Sequence, residues 1–309
     1  MSASTLIWLT PSLFALFLYG IGQGLVKKYI ADVSPARFCL YFVVAKAVIN
    51  LGFFATQPHP PPFSAEGMQA FYVGFGAYIL DGLGWILYFE SIVAGPITIV
   101  GTLSAAYPAT TVLFARIFLG EVLTPVQYTG ITLVILGCIG LAYDPSESTS
   151  KTKGKRWILY ASAALIIWGI SQNLTKYSYS LPNSSEVNLA LFNTMGGFVT
   201  LGVYGFLFGR KKSTQAEGLA SSQSGTVHGS SSSDWLKSFL PMGMMAAGDL
   251  GVIIATKHGP VSLVTPITAA YPMVTLAFAW VVLKEKVTKF QWLCIALILL
   301  GMFLSPSSE

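Results

Sequence analysis

Ala105-Ala106-Tyr107-Pro108 leads to Leu119-Gly120-Glu121, then to Thr124, Gln127 and Leu136-Gly137; Ala269-Ala270-Tyr271-Pro272 leads to Leu283-Lys284-Glu285, Thr288, Gln291 and Leu300-Gly301. Gly95-Pro96 opens the first stretch and Gly259-Pro260 the second. One constant shift of 164 positions lays the second on the first. Across 95–137 against 259–301 about four positions in ten are identical, with no gap. The chain is internally duplicated, and both copies are apolar enough to be membrane helices.

The duplication reaches back to the first helix of each half. Tyr19-Gly20-Ile21-Gly22-Gln23-Gly24-Leu25-Val26-Lys27 parallels Trp168-Gly169-Ile170-Ser171-Gln172-Asn173-Leu174-Thr175-Lys176 at a shift of 149. The second half therefore carries about fifteen extra residues, which its Ser-rich internal loop supplies.

Composition fixes the solvent. Of 309 residues, 53% are hydrophobic and only 10% charged, against about 25% charged in a soluble domain. Apolar runs of roughly 18 to 25 residues match the length that crosses about 30 Å of hydrocarbon. A soluble fold would leave very large apolar patches in water. The net charge of +5 lies in loops beside apolar helices, where it sets orientation against an anionic membrane face and does not mark nucleic-acid binding. Cys39, Cys138 and Cys294 fall inside expected helices with neither paired nor metal-ligand spacing and read as small packing residues. The N-terminus lacks a basic n-region and a small-residue cleavage site, so the first apolar run is expected to stay in the mature protein.

The expected fold is an all-α membrane protein with ten spans at 5–26, 36–56, 68–93, 95–119, 124–143, 157–175, 187–208, 236–256, 260–283 and 288–304. Pro58-His59-Pro60-Pro61-Pro62 cannot be helical and marks a loop. The expected organisation is a first five-helix repeat at 1–143, a polar linker at 144–156 and a second repeat at 157–309. Within the second repeat, the Ser/Gly-rich stretch 209–234 is expected to be flexible. Five helices per copy is odd, so the copies must face opposite ways across the bilayer, the inverted repeat that underlies alternating access.

Two five-helix halves carrying Ala105–Pro108, Leu119–Glu121, Thr124 and Gln127, and again Ala269–Pro272, Leu283–Glu285, Thr288 and Gln291, resemble the EamA-type members of the drug/metabolite transporter superfamily. Trp168-Gly169 fits the same likeness. The resemblance covers nearly the whole chain except the linker and the Ser-rich loop. It implies a secondary transporter of small organic metabolites such as amino acids, expected to be an exporter in the plasma (inner) membrane. It names no cargo. It also implies cytoplasmic termini, whereas the basic residues point the other way. Lys27, Lys28, Arg37, Lys151, Lys153, Lys155, Arg156, Arg210, Lys211, Lys212, Lys237, Lys284, Lys286 and Lys289 share one side, against Lys176, Lys257 and Arg116 on the other. By charge count the crowded side is cytoplasmic and both termini are outside.

Ionisable groups near the bilayer centre are functional candidates by default, because leaving them unpaired there costs several kcal/mol. Lys46, Asp81 and Asp249 fall mid-helix. Asp81 or Asp249 is read as binding a proton or a cationic substrate group in a central cavity; the alternative is a buried Lys46–Asp81 pair that only fixes packing. In the ungapped repeat frame the two aspartates are not equivalent. Pro108 and Pro272 free the carbonyls of Ser104 and Thr268 and are read as matched hinge or gate elements, with Tyr107 and Tyr271 beside them. Gln23, Gln172 and Asn173 either bind substrate at a vestibule or bond between helices. Trp85, Tyr88 and Trp168 either wall a cavity or pack a core. Glu90, Glu121, Glu285, Arg116 and Lys284 are read as interfacial anchors. Gly20–Gly24 and Gly205–Gly209 are small-residue steps suited to close helix packing.

The expected partners are the lipid bilayer, a small-molecule substrate and protons, with no nucleic acid and no cofactor. Gly20-x-Gly-x-Gly lies inside an apolar helix with no preceding strand and is not a nucleotide fingerprint. His59, His228 and His258 lie in loops, and no hydrolase motif is present, so an enzyme is not expected. Asn183-Ser184-Ser185 matches a glycosylation acceptor, a pattern of little specificity. The competing class is a non-transporting membrane scaffold or a subunit of a larger complex, whose centre would be packed shut.

Overall fold

The computed structural model describes residues 3–29, 34–94, 100, 106–142, 156–209, 232–284 and 286–305, and no strand occurs among them. The helices are α1 (Ala3–Tyr29), α2 (Pro35–Thr56), α3 (Met68–Ala94), α4 (Tyr107–Leu119), α5 (Pro125–Ala142), α6 (Arg156–Ser178), α7 (Glu186–Phe208), α8 (Ser232–His258), α9 (Val261–Val282) and α10 (Lys289–Leu304). Eight are long and apolar enough to cross a membrane; α4 and α10 are shorter apolar helices. The opening of the expected fourth span, the 144–155 part of the linker and 210–231 lie outside the described residues. Large side chains such as Phe14, Ile117, Phe118, Leu159 and Phe303 are exposed on the outer faces, as lipid-facing positions require.

The repeated words of the sequence are helix punctuation. In the first copy, the Thr124 hydroxyl accepts from the Gln127 N–H at 3.3 Å and the Gln127 side chain accepts from the Thr124 N–H at 2.9 Å. Thr288 and Gln291 do the same at 3.2 and 2.9 Å. Both are capping boxes, satisfying two donors that a helix start leaves orphaned. The middle position of each Leu-x-Glu is left-handed: Gly120 has φ 67° and Lys284 φ 59°. Each Tyr-Pro opens a helix. Ala106 (φ −85°, ψ −2°) and Ala270 (φ −73°, ψ 4°) hold the same conformation. Each accepts a bond from the N–H three residues on, Ala109 at 2.9 Å and Met273 at 3.0 Å. Thus α9, expected as one helix, is two segments, Val261–Ala269 and Tyr271–Val282, with Pro272 in the first turn of the second, where its missing N–H costs nothing. A π-turn at Phe198–Gly202 similarly interrupts α7.

Packing between the halves follows the duplication. On α5 and α10 a methyl at Gly130 would meet the Gly301 carbonyl at 2.8 Å, and one at Gly137 the Cys294 carbonyl at 2.9 Å. Gly130 and Cys294 are repeat equivalents, as are Gly137 and Gly301, so each contact is the other with the copies exchanged. Rising numbers on α5 meet falling numbers on α10, so these equivalent helices run antiparallel. α2 and α7 do likewise, Gly205 lying on Leu40 and Ala36 while Asn50 donates to Asn193 at 3.5 Å. The α3–α6 and α1–α8 contacts exchange in the same way. Gly84 of α3 lies under Trp168 of α6, and its equivalent Gly248 of α8 lies under Tyr19 of α1. This i-to-j, j-to-i pattern is an isologous interface built inside one chain. Gly20 and Gly24 let α1 lie directly on Val274 and Phe278 of α9.

Candidate functional site

The antiparallel pairs bring α1, α2, α3 and α8 together at mid-length. Lys46 of α2 lies between two carboxylates, 2.7 Å from Asp249 on α8 and 3.7 Å from Asp81 on α3. Its side chain is 3% exposed, with Asp81 at 17% and Asp249 at 13%. The pairing expected from sequence, Lys46 with Asp81, is therefore the longer of the two. The nearer partner comes from the other half of the chain, a neighbour that span order alone does not reveal. Lys46 also stands 4.6 Å over the Phe42 ring, and the Tyr19 hydroxyl donates to Asp249. Two carboxylates and one ammonium sum to one negative charge, in a setting where unneutralised charge is expensive.

Aromatic side chains gather about one turn from Asp81. Trp168 donates from Nε1 to the Asp81 carbonyl at 3.3 Å. Its ring lies 5.3 Å from Trp85, 5.6 Å from Tyr88 and 5.7 Å from Tyr107. Tyr19 and Tyr271 meet at 5.8 Å. Asp249 sits at the repeat position of Trp85 and Asp81 at that of Met245, so in the repeat frame the two carboxylates are one helical turn apart.

The other candidates divide. Asn173 donates to the carbonyls of Thr111 at 3.1 Å and Gly169 at 2.8 Å, tying α6 to α4. Gln23 and Gln172 stand half-buried on α1 and α6. Pro108 is buried and Pro272 half-buried, each in the first turn of a helix. Thr268 is buried, and its hydroxyl donates back to Val264 and Thr265 of its own helix. Ser104 lies outside the described residues. Two grooves, of about 600 and 420 Å³, are lined by Leu6, Thr10, Phe14 and Ile254, and by Arg37, Tyr41, Gly205 and Trp235; neither includes Lys46, Asp81 or Asp249.

One arrangement went unread in the sequence. Glu121, expected to be an interfacial anchor, accepts from the backbone N–H groups of Val261 and Ser262, each at 3.0 Å, and from the Ser262 hydroxyl. It caps the start of α9 from 140 residues away, negative charge meeting the positive helix end. Beside it Lys176 donates to the carbonyls of Thr256 and Gly259, each at 2.8 Å, at the end of α8. The α8–α9 turn is thus held by an acid on one side and a base on the other. At the same end Lys257 pairs with Glu186, and Asn183 donates to Ser64 at 3.2 Å and to Glu66 at 3.3 Å. The amide nitrogen that a glycan would need is engaged in these bonds.

A helical chain of two related halves, with a charged cluster between them at mid-length, defines a class: a polytopic membrane protein built from an internal repeat. The EamA-like transporter family model matches residues 5–143 and again 155–305. The chain belongs to that family. Its fold is similar to a solved structure described only as "Crystal structure of protein", at a TM-score of 0.71 and 20% identity, covering 98% of each chain. No curated protein matches the chain.

Proposed function

We propose that the chain is a secondary transporter, exporting small organic metabolites such as amino acids by alternating access between two inverted repeats. The observation that carries this reading is Lys46, set at mid-membrane between an aspartate of its own half and one of the other. Relative motion of the halves must change that three-way contact. The surplus negative charge suits a positively charged partner, either a proton or the ammonium group of a cargo. Trp85, Tyr88, Tyr107 and Trp168 supply the faces on which an organic cation rests favourably. Asp81 holds the longer contact to Lys46 and is the leading ligand. The antiparallel pairing of equivalent helices supports inversion of the repeats, and the two matched helix starts at Ala106 and Ala270 are candidate hinges.

Asp81→Asn and Asp249→Asn are expected to abolish substrate transport in membrane vesicles while leaving expression intact. If both variants transport normally with unchanged pH dependence, the coupling role fails. The basic end, with Lys28, Arg37, Arg156 and Lys237, is proposed to face the cytoplasm of a plasma-membrane protein, leaving both termini outside. A cytoplasm-only reporter active at Glu309 would reverse that assignment.

The packing of the centre favours the scaffold reading: Lys46 and the Tyr19 hydroxyl both contact Asp249, and the neighbouring rings pack edge-on or tilted against one another. A growth screen over a substrate panel, comparing overexpression with deletion, separates the two readings. A cargo-dependent phenotype supports transport; none across the panel supports a scaffold.

A further inference from the structure

We propose that the groove between α2, α7 and α8 at the basic end is a binding site for one anionic phospholipid, independent of the transport reading. Arg37, Leu40 and Tyr41 of α2, Gly205, Phe206 and Gly209 at the end of α7, and Trp235 at the start of α8 line about 420 Å³. Gly205 lets α7 lie directly on Leu40 and Ala36 of α2, and the groove runs beside that contact.

Its chemistry is graded along the membrane normal. The deeper wall is apolar, with Leu40 and with Phe206 58% exposed on the lipid-facing side. Above it Trp235, 44% exposed, meets the buried Tyr41 edge-on at 4.4 Å. Such amphipathic rings belong at the headgroup level. At the mouth Arg37 donates from Nε to the Gly209 carbonyl at 3.2 Å. That single bond fixes the guanidinium plane while its two terminal nitrogens carry the remaining donors. A planar fork of this kind matches a phosphate oxygen pair. Basic residues outnumber acidic ones at this end: Lys28, Arg156 and Lys237 lie there, and the sequence continues from Gly209 into Arg210-Lys211-Lys212, against Asp234 and against Glu90, which accepts from the Tyr204 hydroxyl at 2.9 Å. A phosphodiester headgroup with net negative charge against Arg37, its acyl chain lying over Leu40 and Phe206, satisfies every part of the groove. A soluble anion would leave the apolar wall unused, and an uncharged lipid would leave the arginine unused.

The test is native mass spectrometry of the full-length protein, released from detergent with phosphatidylglycerol or phosphatidylcholine added. The unaltered protein is expected to retain one phosphatidylglycerol more tightly than phosphatidylcholine, by about fivefold, the factor that corresponds to about 1 kcal/mol per basic residue at a membrane surface. Arg37→Gln is expected to remove that preference while phosphatidylcholine retention stays the same, and Arg37→Lys to restore part of it. Equal retention of the two lipids by the unaltered protein would overturn the proposal without recourse to any variant. So would an Arg37→Gln protein that keeps the preference. Displacement of the lipid by millimolar inorganic phosphate would assign the site to a free anion, and would equally overturn it.

Discussion

At the scale of single residues, the two carboxylates are unequal. Asp249 makes the short contact to Lys46 and takes the Tyr19 hydroxyl, whereas Asp81 stands 3.7 Å away. Breaking a buried pair by removing one partner costs about 3–5 kcal/mol. Asp249→Asn breaks the short contact but leaves Lys46 beside Asp81 and removes the surplus negative charge, so it should lower thermal stability in detergent by less than that, and Asp81→Asn by less still. Equal losses would mean that the difference in distance has no energetic weight. A second residue carries a local penalty. Lys284 is left-handed at φ 59°, where its repeat equivalent is Gly120. Lys284→Gly should raise stability by about 1 kcal/mol, read as a higher melting temperature. That Lys46, Asp81 and Asp249 merit attention was legible from charge inside apolar runs. That Asp249 is the nearer partner was not. Which span lies beside which is decided by packing between helices more than two hundred residues apart in sequence, and no local periodicity records it.

At the scale of elements, the most readable features were the repeated motifs, and the physical reason is that caps and helix starts are local. Thr124 and Gln127, or Thr288 and Gln291, close their boxes within one turn, and Tyr-Pro starts a helix in each copy. Glu121 failed to be read because its partners, Val261 and Ser262, belong to a distant helix. The loss of such a cap costs about 1–2 kcal/mol. Glu121→Ala should lower the melting temperature and speed amide exchange at the first turn of α9 relative to the first turn of α10, whose own cap is intact. Uniform exchange in both would show that the carboxylate does not hold that helix end. The glycine seams belong to the same scale. A methyl at Gly84 would stand 2.6 Å from Trp168 Nε1. Gly84→Ala is expected to push α3 off α6, with a loss of about 1–3 kcal/mol for overpacking, seen as reduced melting temperature and altered tryptophan fluorescence.

At the scale of the molecule, the duplication in sequence and the exchange of contacts in space are one statement. The five spans expected per copy implied opposed copies, and in the structure α5 runs antiparallel to its equivalent α10. What the repeat could not convey is which end of the bundle is fastened. Glu121 and Lys176 hold the α8–α9 turn at the end where Lys257 also meets Glu186 and Asn183 meets Glu66. If transport requires that end to part, bridging Glu121→Cys to Ser262→Cys with a short bis-thiol reagent should stop flux, and a reductant should bring it back. Flux that persists in the bridged protein would place the moving seam elsewhere.

The one-turn displacement of Asp249 relative to Asp81 has a consequence for direction. On the proposed mechanism, two flawless copies would trade roles and produce inward and outward shapes related by a two-fold rotation, gripping cargo identically from either compartment. Here one copy offers a carboxylate at the level where the other offers an indole, about 6 Å along the helix axis from its counterpart. Reversal of the halves therefore does not regenerate the starting electrostatics. Under that same mechanism, the asymmetry would give the protein one face from which a cation is held more firmly.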